Sequence, residues 1–279
     1  MNYPNDEIHE LEKVLPLSID PLIQCITNEI TSELIANALL FIHAKPIMAD
    51  DVRELKEIIP QVDALLLNLG HLSKAREKSI RKASKIAQTT KTPCVVDLVG
   101  VAATKRRKRL ALVLEKTIPS VIKGNISEMR CFVGLPSNSR GVDGAKEDQT
   151  KASLHELIPL LEQRTKKTNI TYLATGEVDV LVTNKKTILL KNGVPKLNQF
   201  TGTGDIVGGL IAAFLGGGHS ASKSCISAIS YLNYCGELAD KSNGLAQFRH
   251  QTMNHLSLEL KNDAWIKNIK GEEYQCNQT

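Results

Sequence analysis

The chain has 279 residues, 42% of them hydrophobic, enough for one large α/β domain or two small ones with a substantial core. Its net charge of +5 comes from one run, Lys105-Arg106-Arg107-Lys108-Arg109, outside which 30 bases balance 30 acids, so a general nucleic-acid coat is excluded. Aromatic residues make up only 4%, with Trp265 the single tryptophan, which excludes a base-stacking platform, and six cysteines without a C-x-x-C pair exclude a disulfide framework.

In chain order, Asn28–His43 carries Ile30, Leu34, Ile35, Ala38 and Leu39 at helical spacing, with Thr27 or Asn28 available to cap the helix. Ala64–Gly70 is a short apolar strand ending in a loop, and Ser73–Ala87 an amphipathic helix with Ile80, Ala83, Ile86 and Ala87 inward. Cys94–Asp97 reads as a strand, Lys105–Leu114 as a helix, and Ser120–Lys123 as a strand closed by Gly124-Asn125. Leu154, Leu157 and Leu161 mark a helix that Pro159 is expected to interrupt. Ile170–Ala174 is a strand running into Thr175-Gly176, and Val178–Leu190 reads as two strands joined through Asn184-Lys185-Lys186. An apolar helix follows Thr201–Asp205 and ends at Gly216-Gly217-Gly218, before helices over Ala221–Lys241 and Leu245–Leu260. No internal repeat or linker divides this alternation, so a single α/β domain over 1–279 with a mostly parallel sheet is expected.

The N-terminus lacks the charge and apolar pattern of a signal peptide, and the longest apolar run, Ile206–Gly218, is shorter than the ~20 residues of a membrane helix. With unpaired cysteines, these features point to the cytoplasm and to no membrane partner. Cys225 and Cys235 fall on one helix, about 15 Å apart by helical rise, too far to bridge. The histidines show no metal-ligand spacing, and Cys25 has no local nucleophile signature.

Thr201-Gly202-Thr203-Gly204-Asp205 carries the most chemistry. A glycine turn opening a helix presents unpaired N–H groups and the positive end of the dipole, which suits an anion. Gly202 and Gly204 permit close approach of a phosphate, and Asp205 falls in the first turn, where a carboxylate is favoured. A carboxylate facing a phosphate cradle repels its ligand unless it has a task, such as receiving the proton of an attacking hydroxyl; the alternative is a simple helix cap. The spacing matches neither the dinucleotide nor the P-loop glycine motif.

Cys25-Ile26-Thr27-Asn28, Pro46-Ile47-Met48, Asn68-Leu69-Gly70, Val121–Glu128, Arg140-Gly141-Val142-Asp143, Ala174-Thr175-Gly176 and Thr201–Asp205 occur in that order. Together they resemble the hydroxyethylthiazole kinase family of the ribokinase-like superfamily, over about residues 20–261. The resemblance implies a ribokinase-like three-layer fold, with a mostly parallel central sheet flanked by helices. It also implies transfer of the ATP γ-phosphoryl group to the primary alcohol of 4-methyl-5-(2-hydroxyethyl)thiazole in thiamine salvage, with Mg²⁺ and a homotrimer whose active sites lie at subunit interfaces.

For that reaction Asp205 is read as the general base and the Gly202-Thr203-Gly204 backbone as the anion hole, and Gly202 also matches a substrate contact of the family. Phosphoryl transfer asks mainly for positioning and charge stabilisation, and a late proton transfer is within reach of an aspartate. Asp97 and Glu128 match acidic positions near magnesium, Lys123 and Thr175 match ATP contacts, and Met48 matches a substrate contact. Asn28, Ile30 and Gly70 match neighbouring pocket positions, the first two open to service in an adjacent subunit's site. Two departures stand out: many members carry Cys where this chain has Asp205, and the family usually has a proline after the aspartate where this chain has Leu98. A Lys at position 123, where Arg is common, supplies charge without the bidentate fork.

A hydroxymethylpyrimidine or other small-alcohol kinase of the same superfamily, and a non-catalytic nucleotide-binding regulator, are the alternatives. The Lys105–Arg109 run surrounds a helix start at 100° per residue rather than lining one face, so no nucleic-acid partner is expected.

Overall fold

A computed structural model describes Leu11, residues 14–137 and residues 146–275. The Arg140–Asp143 motif and Cys276 lie outside the described residues.

Nine strands among the described residues form one sheet in the order β2-β1-β3-β4-β5-β6-β7-β8-β9. They are β1 Leu22–Ile26, β2 Lys45–Ile47, β3 Ala64–Asn68, β4 Cys94–Asp97, β5 Val121–Asn125, β6 Thr171–Thr175, β7 Asp179–Val182, β8 Thr187–Leu190 and β9 Gly271–Glu273. Every ladder from β2 through β6 is parallel, and β6–β7, β7–β8 and β8–β9 are antiparallel. The central strands are buried on both faces, which is why β3 reads as the unbroken run Ala-Leu-Leu-Leu-Asn rather than an alternating one.

Side chains alternate between two cores. Cys25, Leu66, Val95, Val121 and Leu173 meet one helical layer: α1 Ser32–Phe41, α7 Thr203–Gly216, α8 Ala221–Ala239 and α9 Leu245–Leu258. Ile26, Leu65, Leu67, Val96, Ile122 and Tyr172 meet the other: α2 Leu55–Ile58, α3 Lys74–Thr90, α4 Lys105–Glu115, α5 Ile126–Val133 and α6 Lys151–Thr168. The short α10 Ala264–Lys267 adds Trp265 and Ile266 to the first core. This is the expected three-layer α/β/α architecture. No helix of the described residues is long and apolar enough to cross a membrane.

Several local expectations are corrected. Pro159 does not interrupt α6, which runs through it: the proline lies on the exposed face, where water can serve the carbonyl its missing N–H leaves unpaired. The first helix starts at Ser32 rather than Asn28, because Asn28 and Thr27 belong to the turn leaving β1. Thr31 stands at its N-cap, and the Asn28 side chain reaches forward to accept from the Thr31 N–H at 3.0 Å. α3 continues to Thr90 because Lys91 supplies the left-handed C-cap, at φ 59°. The left-handed residue after α7 is Gly218, at φ 86°. Strands β1, β2 and β9 add to those read from sequence. Cys225 and Cys235 do share α8, and the cysteines of the described residues are free.

The basic run opens α4 as a largely solvated helix start, with Thr104 as cap. Arg106 donates to Glu77 Oε2 at 2.7 Å. Arg107 is the exception to the solvated reading: its Nη1 donates to the carbonyl oxygens of Leu69 and Val99, stapling the loop after β3 to the loop after β4.

Candidate active site

Parallel strands deliver their last residues to one edge, and the register decides which side chains meet there. Asn68 pairs with Asp97, and Asp97 with Lys123, across β3, β4 and β5. Each stands two residues beyond an apolar side chain of the α7-side core (Leu66, Val95 and Val121), so period-2 alternation puts all three on that face. Glycine lets α7 lie flat upon them. A Cβ at Gly208 would stand 3.2 Å from Leu66 Cδ1 and 3.4 Å from Asp97 Oδ2.

The N-terminus of α7 enters through Gly202, whose φ of 102° only glycine adopts at low cost. A Cβ there would also stand 2.6 Å from Leu34 Cδ2 and 2.9 Å from Thr31 Cγ2. Thr203, Gly204 and Asp205 therefore form the first turn, and their N–H groups have no intrahelical acceptor. Gly204 is exposed, which keeps this donor cluster open to a ligand, while the Thr203 hydroxyl turns back to donate to the Leu197 carbonyl at 2.7 Å.

Asp205 is 7% exposed and held by three neutral side chains. Its Oδ1 accepts from Asn68 Nδ2 at 2.8 Å, and its Oδ2 accepts from Asn28 Nδ2 at 3.1 Å and Thr31 Oγ1 at 2.5 Å. A carboxylate offers about four lone-pair sites, so the three donors leave about one for a further hydroxyl. The amide orientations follow from their partners. Asn68 Oδ1 accepts from the Gly70 N–H at 2.7 Å, which turns Nδ2 towards Asp205 and, at 3.3 Å, Asp97 Oδ2. A Cβ at Gly70 would come within 2.8 Å of Asn68 Oδ1 and break this arrangement.

On the other side, Lys123 Nζ lies 2.8 Å from Asp97 Oδ2, in an ion pair hardly reached by solvent. The ammonium sits directly beneath the turn, 3.8 Å from where a Gly204 Cβ would be. Burial pushes Asp97 up to about 6 against the pull of Lys123, with the Asp205 charge adding to the rise. Asp97 Oδ1 is buried and has no hydrogen-bond partner among the described residues. Glu128 completes a capping box on α5, accepting from the Asn125 N–H at 2.8 Å while its own N–H donates to Asn125 Oδ1. It also accepts from the Gly100 N–H at 2.7 Å. Burial first and the Asp97 charge second push Glu128 up to about 8.

The structure thus brings together Asp205, Gly202, Thr203, Gly204, Lys123, Asp97, Glu128, Asn28 and Gly70. Asn28 reaches Asp205 of its own chain. Thr175 ends β6 beside Asn125, its hydroxyl 3.4 Å from the Gly124 carbonyl. Met48 is partly buried against the α7-side core after β2, whereas Ile30 stands 76% exposed. Thr31 and the side-chain role of Asn68 were missed from sequence, since an N-cap threonine and a strand-end asparagine carry no distinctive local signal.

The hydroxyethylthiazole kinase family model matches residues 15–262. A hydroxyethylthiazole kinase of Lacticaseibacillus casei (strain BL23) is 53% identical over 262 residues, covering 92% of this chain and 94% of the relative. One of Enterococcus faecalis (strain ATCC 700802 / V583) is 52% identical over 264 residues, covering 94% and 97%. The solved structure of the hydroxyethylthiazole kinase protein from Pyrococcus horikoshii OT3 has a TM-score of 0.83 at 29% identity, covering 97% of this chain and 100% of that one. With the ordered motifs, the three-layer fold and the strand-end site in agreement, this chain belongs to the hydroxyethylthiazole kinase family of the ribokinase-like superfamily.

Proposed function

We propose that the site transfers the γ-phosphoryl group of ATP to the primary alcohol of 4-methyl-5-(2-hydroxyethyl)thiazole, in thiamine salvage, with Asp205 receiving the hydroxyl proton. The kinase activity follows from the family, and the residue roles rest on the geometry. One observation carries them: a carboxylate held by three neutral donors at the open, anion-binding end of α7.

The acceptor hydroxyl donates to the lone-pair site of Asp205 that Asn28, Thr31 and Asn68 leave over. Its oxygen is then aimed at phosphorus lying over the Gly202-Thr203-Gly204 turn. As the P–O bond to ADP loosens, charge on the transferring oxygens is met by the N–H groups of that turn and the α7 dipole. Lys123 acts from below. Its pairing with Asp97 cancels a carboxylate that would otherwise repel the phosphates, and the ammonium is the end of that pair nearer Gly204. The new C–O–P linkage forms as the hydroxyl proton passes to Asp205. Thr175, at the neighbouring strand end, is assigned to the nucleotide, and Met48, Asn28, Ile30, Gly70 and Gly202 to the thiazole alcohol.

The unpartnered Asp97 Oδ1 fits a hydrated Mg²⁺ arriving with the nucleotide, since Mg²⁺ keeps several waters and needs only one or two carboxylates. Asp97 and Glu128 would hold it, and bound there it neutralises charge on the phosphate oxygens. The exposure of Ile30 supports a homotrimer in which this turn meets a neighbouring copy, and the free cysteines suit a cytoplasmic enzyme.

Incubation of the purified protein with ATP, Mg²⁺ and the thiazole alcohol is expected to give thiazole phosphate and ADP in equal amounts. ADP formation with hydroxymethylpyrimidine and none with the thiazole would replace the acceptor. Nucleotide binding without ADP formation from either alcohol would make the chain a regulator.

A further inference from the structure

The turns assigned to the thiazole alcohol converge on one guanidinium that the phosphoryl transfer does not use. Arg76 lies in the first turn of α3 and is 8% exposed. Its Nη1 donates to the His71 carbonyl at 2.9 Å, in the residue after Gly70. Its Nη2 donates to Glu29 Oε1 at 3.4 Å, in the residue between Asn28 and Ile30. Its Nε lies 3.5 Å from Asp50 Oδ2, two residues beyond Met48, and makes no hydrogen bond among the described residues. One side chain thus reaches all three turns, which only the flat, many-donor guanidinium can do.

Stability through these ion pairs is a weak reason for the arrangement. Both carboxylates are open to water, Glu29 at 74% and Asp50 at 47% side-chain exposure, and solvent screens such pairs. The His71 contact points elsewhere. His71 holds φ 47°, a conformation that L side chains rarely adopt, and its carbonyl is the one Arg76 grips. The backbone beside Gly70 is therefore fixed by the same group that faces Glu29 and Asp50.

We propose that Arg76 is a positioning residue for the acceptor alcohol, setting the spacing of the Asn28–Ile30, Met48–Asp50 and Gly70–His71 turns. The proposal rests on the assignment of Asn28, Met48 and Gly70 to the thiazole pocket. Uniform loosening of a pocket raises KM for its own substrate without slowing the chemical step at saturation.

The test is steady-state kinetics with each substrate varied in turn. R76M and R76K are expected to raise KM for the thiazole alcohol about ten-fold while kcat and KM for ATP stay within about two-fold. D50N, an exposed change that leaves the fold intact, is expected to raise thiazole KM about three-fold, and to add nothing further in the R76M background. D51N is the control, because Asp51 pairs with Arg53 and not with Arg76, and its thiazole KM is expected to be unchanged. Unchanged thiazole KM in R76M and D50N, or an equal rise for ATP, overturns the proposal even if Tm falls. Should R76M not fold, D50N and D51N decide it alone. M48A separates the two layers of argument. A raised thiazole KM in M48A with normal values in R76M and D50N overturns only the role of Arg76, whereas an unchanged KM in M48A overturns the pocket assignment and the proposal with it.

Discussion

The two halves of the site solve the problem of burying a carboxylate in opposite ways. Asp205 is held by neutral donors from Asn28, Thr31 and Asn68, with no cation among its hydrogen-bond partners in the described residues. Asp97, one strand-end away, is matched by a full ammonium charge on Lys123. The difference suits their tasks. A neighbouring cation offsets the charge of a carboxylate, whereas hydrogen bonds from neutral groups orient it and leave its charge in place. Next to the phosphates, cancelling that charge is the need; beside the alcohol, orientation is. Asn68 joins the halves, because its two amide hydrogens go one to each carboxylate.

Substitutions can break each half separately. Lys123→Met has the largest expected effect on stability, because it leaves Asp97 buried without its partner. Breaking such a pair from one side costs about 3–5 kcal/mol, to be read as a large fall in the chemical denaturation midpoint. Next comes Thr31→Val, which keeps the shape of the side chain and removes one hydrogen bond to a carboxylate. At about 1.5–3 kcal/mol, kcat should fall by about ten- to a hundred-fold with KM for ATP unchanged, and Thr31→Ser should restore most of it. A drop in Tm with normal kcat would leave the Thr31 hydroxyl a structural role and nothing more.

The third effect is a pH slope, small per pH unit and spread over several. Glu128 is raised to about 8 in the fold, chiefly by burial, so between its ordinary value near 4.5 and about 8 the native chain keeps a proton that the unfolded chain releases. Native stability therefore falls as pH rises through that window, and the deficit is complete above it. Glu128→Gln keeps a capping-box side chain and should flatten the Tm-against-pH curve between pH 5 and 8, by at most about 1.4 kcal/mol per pH unit. An unchanged slope would remove Glu128 from the set of groups that titrate with folding.

How much of this was legible in the sequence depended on how local the cause was. β3, β4 and β5 announce themselves as apolar runs because strands covered on both faces have no polar side to show. β2, Lys-Pro-Ile, and β9, Gly-Glu-Glu, carry no such run, and only their neighbours in the sheet make them strands. Pro159 misled in the other direction, since a helix already held by Leu157, Ile158 and Leu161 absorbs one missing bond on its wet face. The glycine turn and Asp205 were readable together within five residues. Their cage was not: Thr31 and Asn68 reach Asp205 across 174 and 137 residues of chain. Nor was the role of Arg107, which looked like one more base in a solvated run.

The most direct test of Asp205 as proton acceptor is Asp205→Asn, assayed for thiazole phosphate formation at saturating substrates alongside ATP binding at equilibrium. An amide can still accept a hydrogen bond from the alcohol but cannot take its proton. We expect kcat to fall by about 10²–10⁴-fold while the Kd for ATP stays within about three-fold. Turnover at the wild-type rate would contradict the account, and loss of ATP binding in step with turnover would make Asp205 part of the nucleotide site instead.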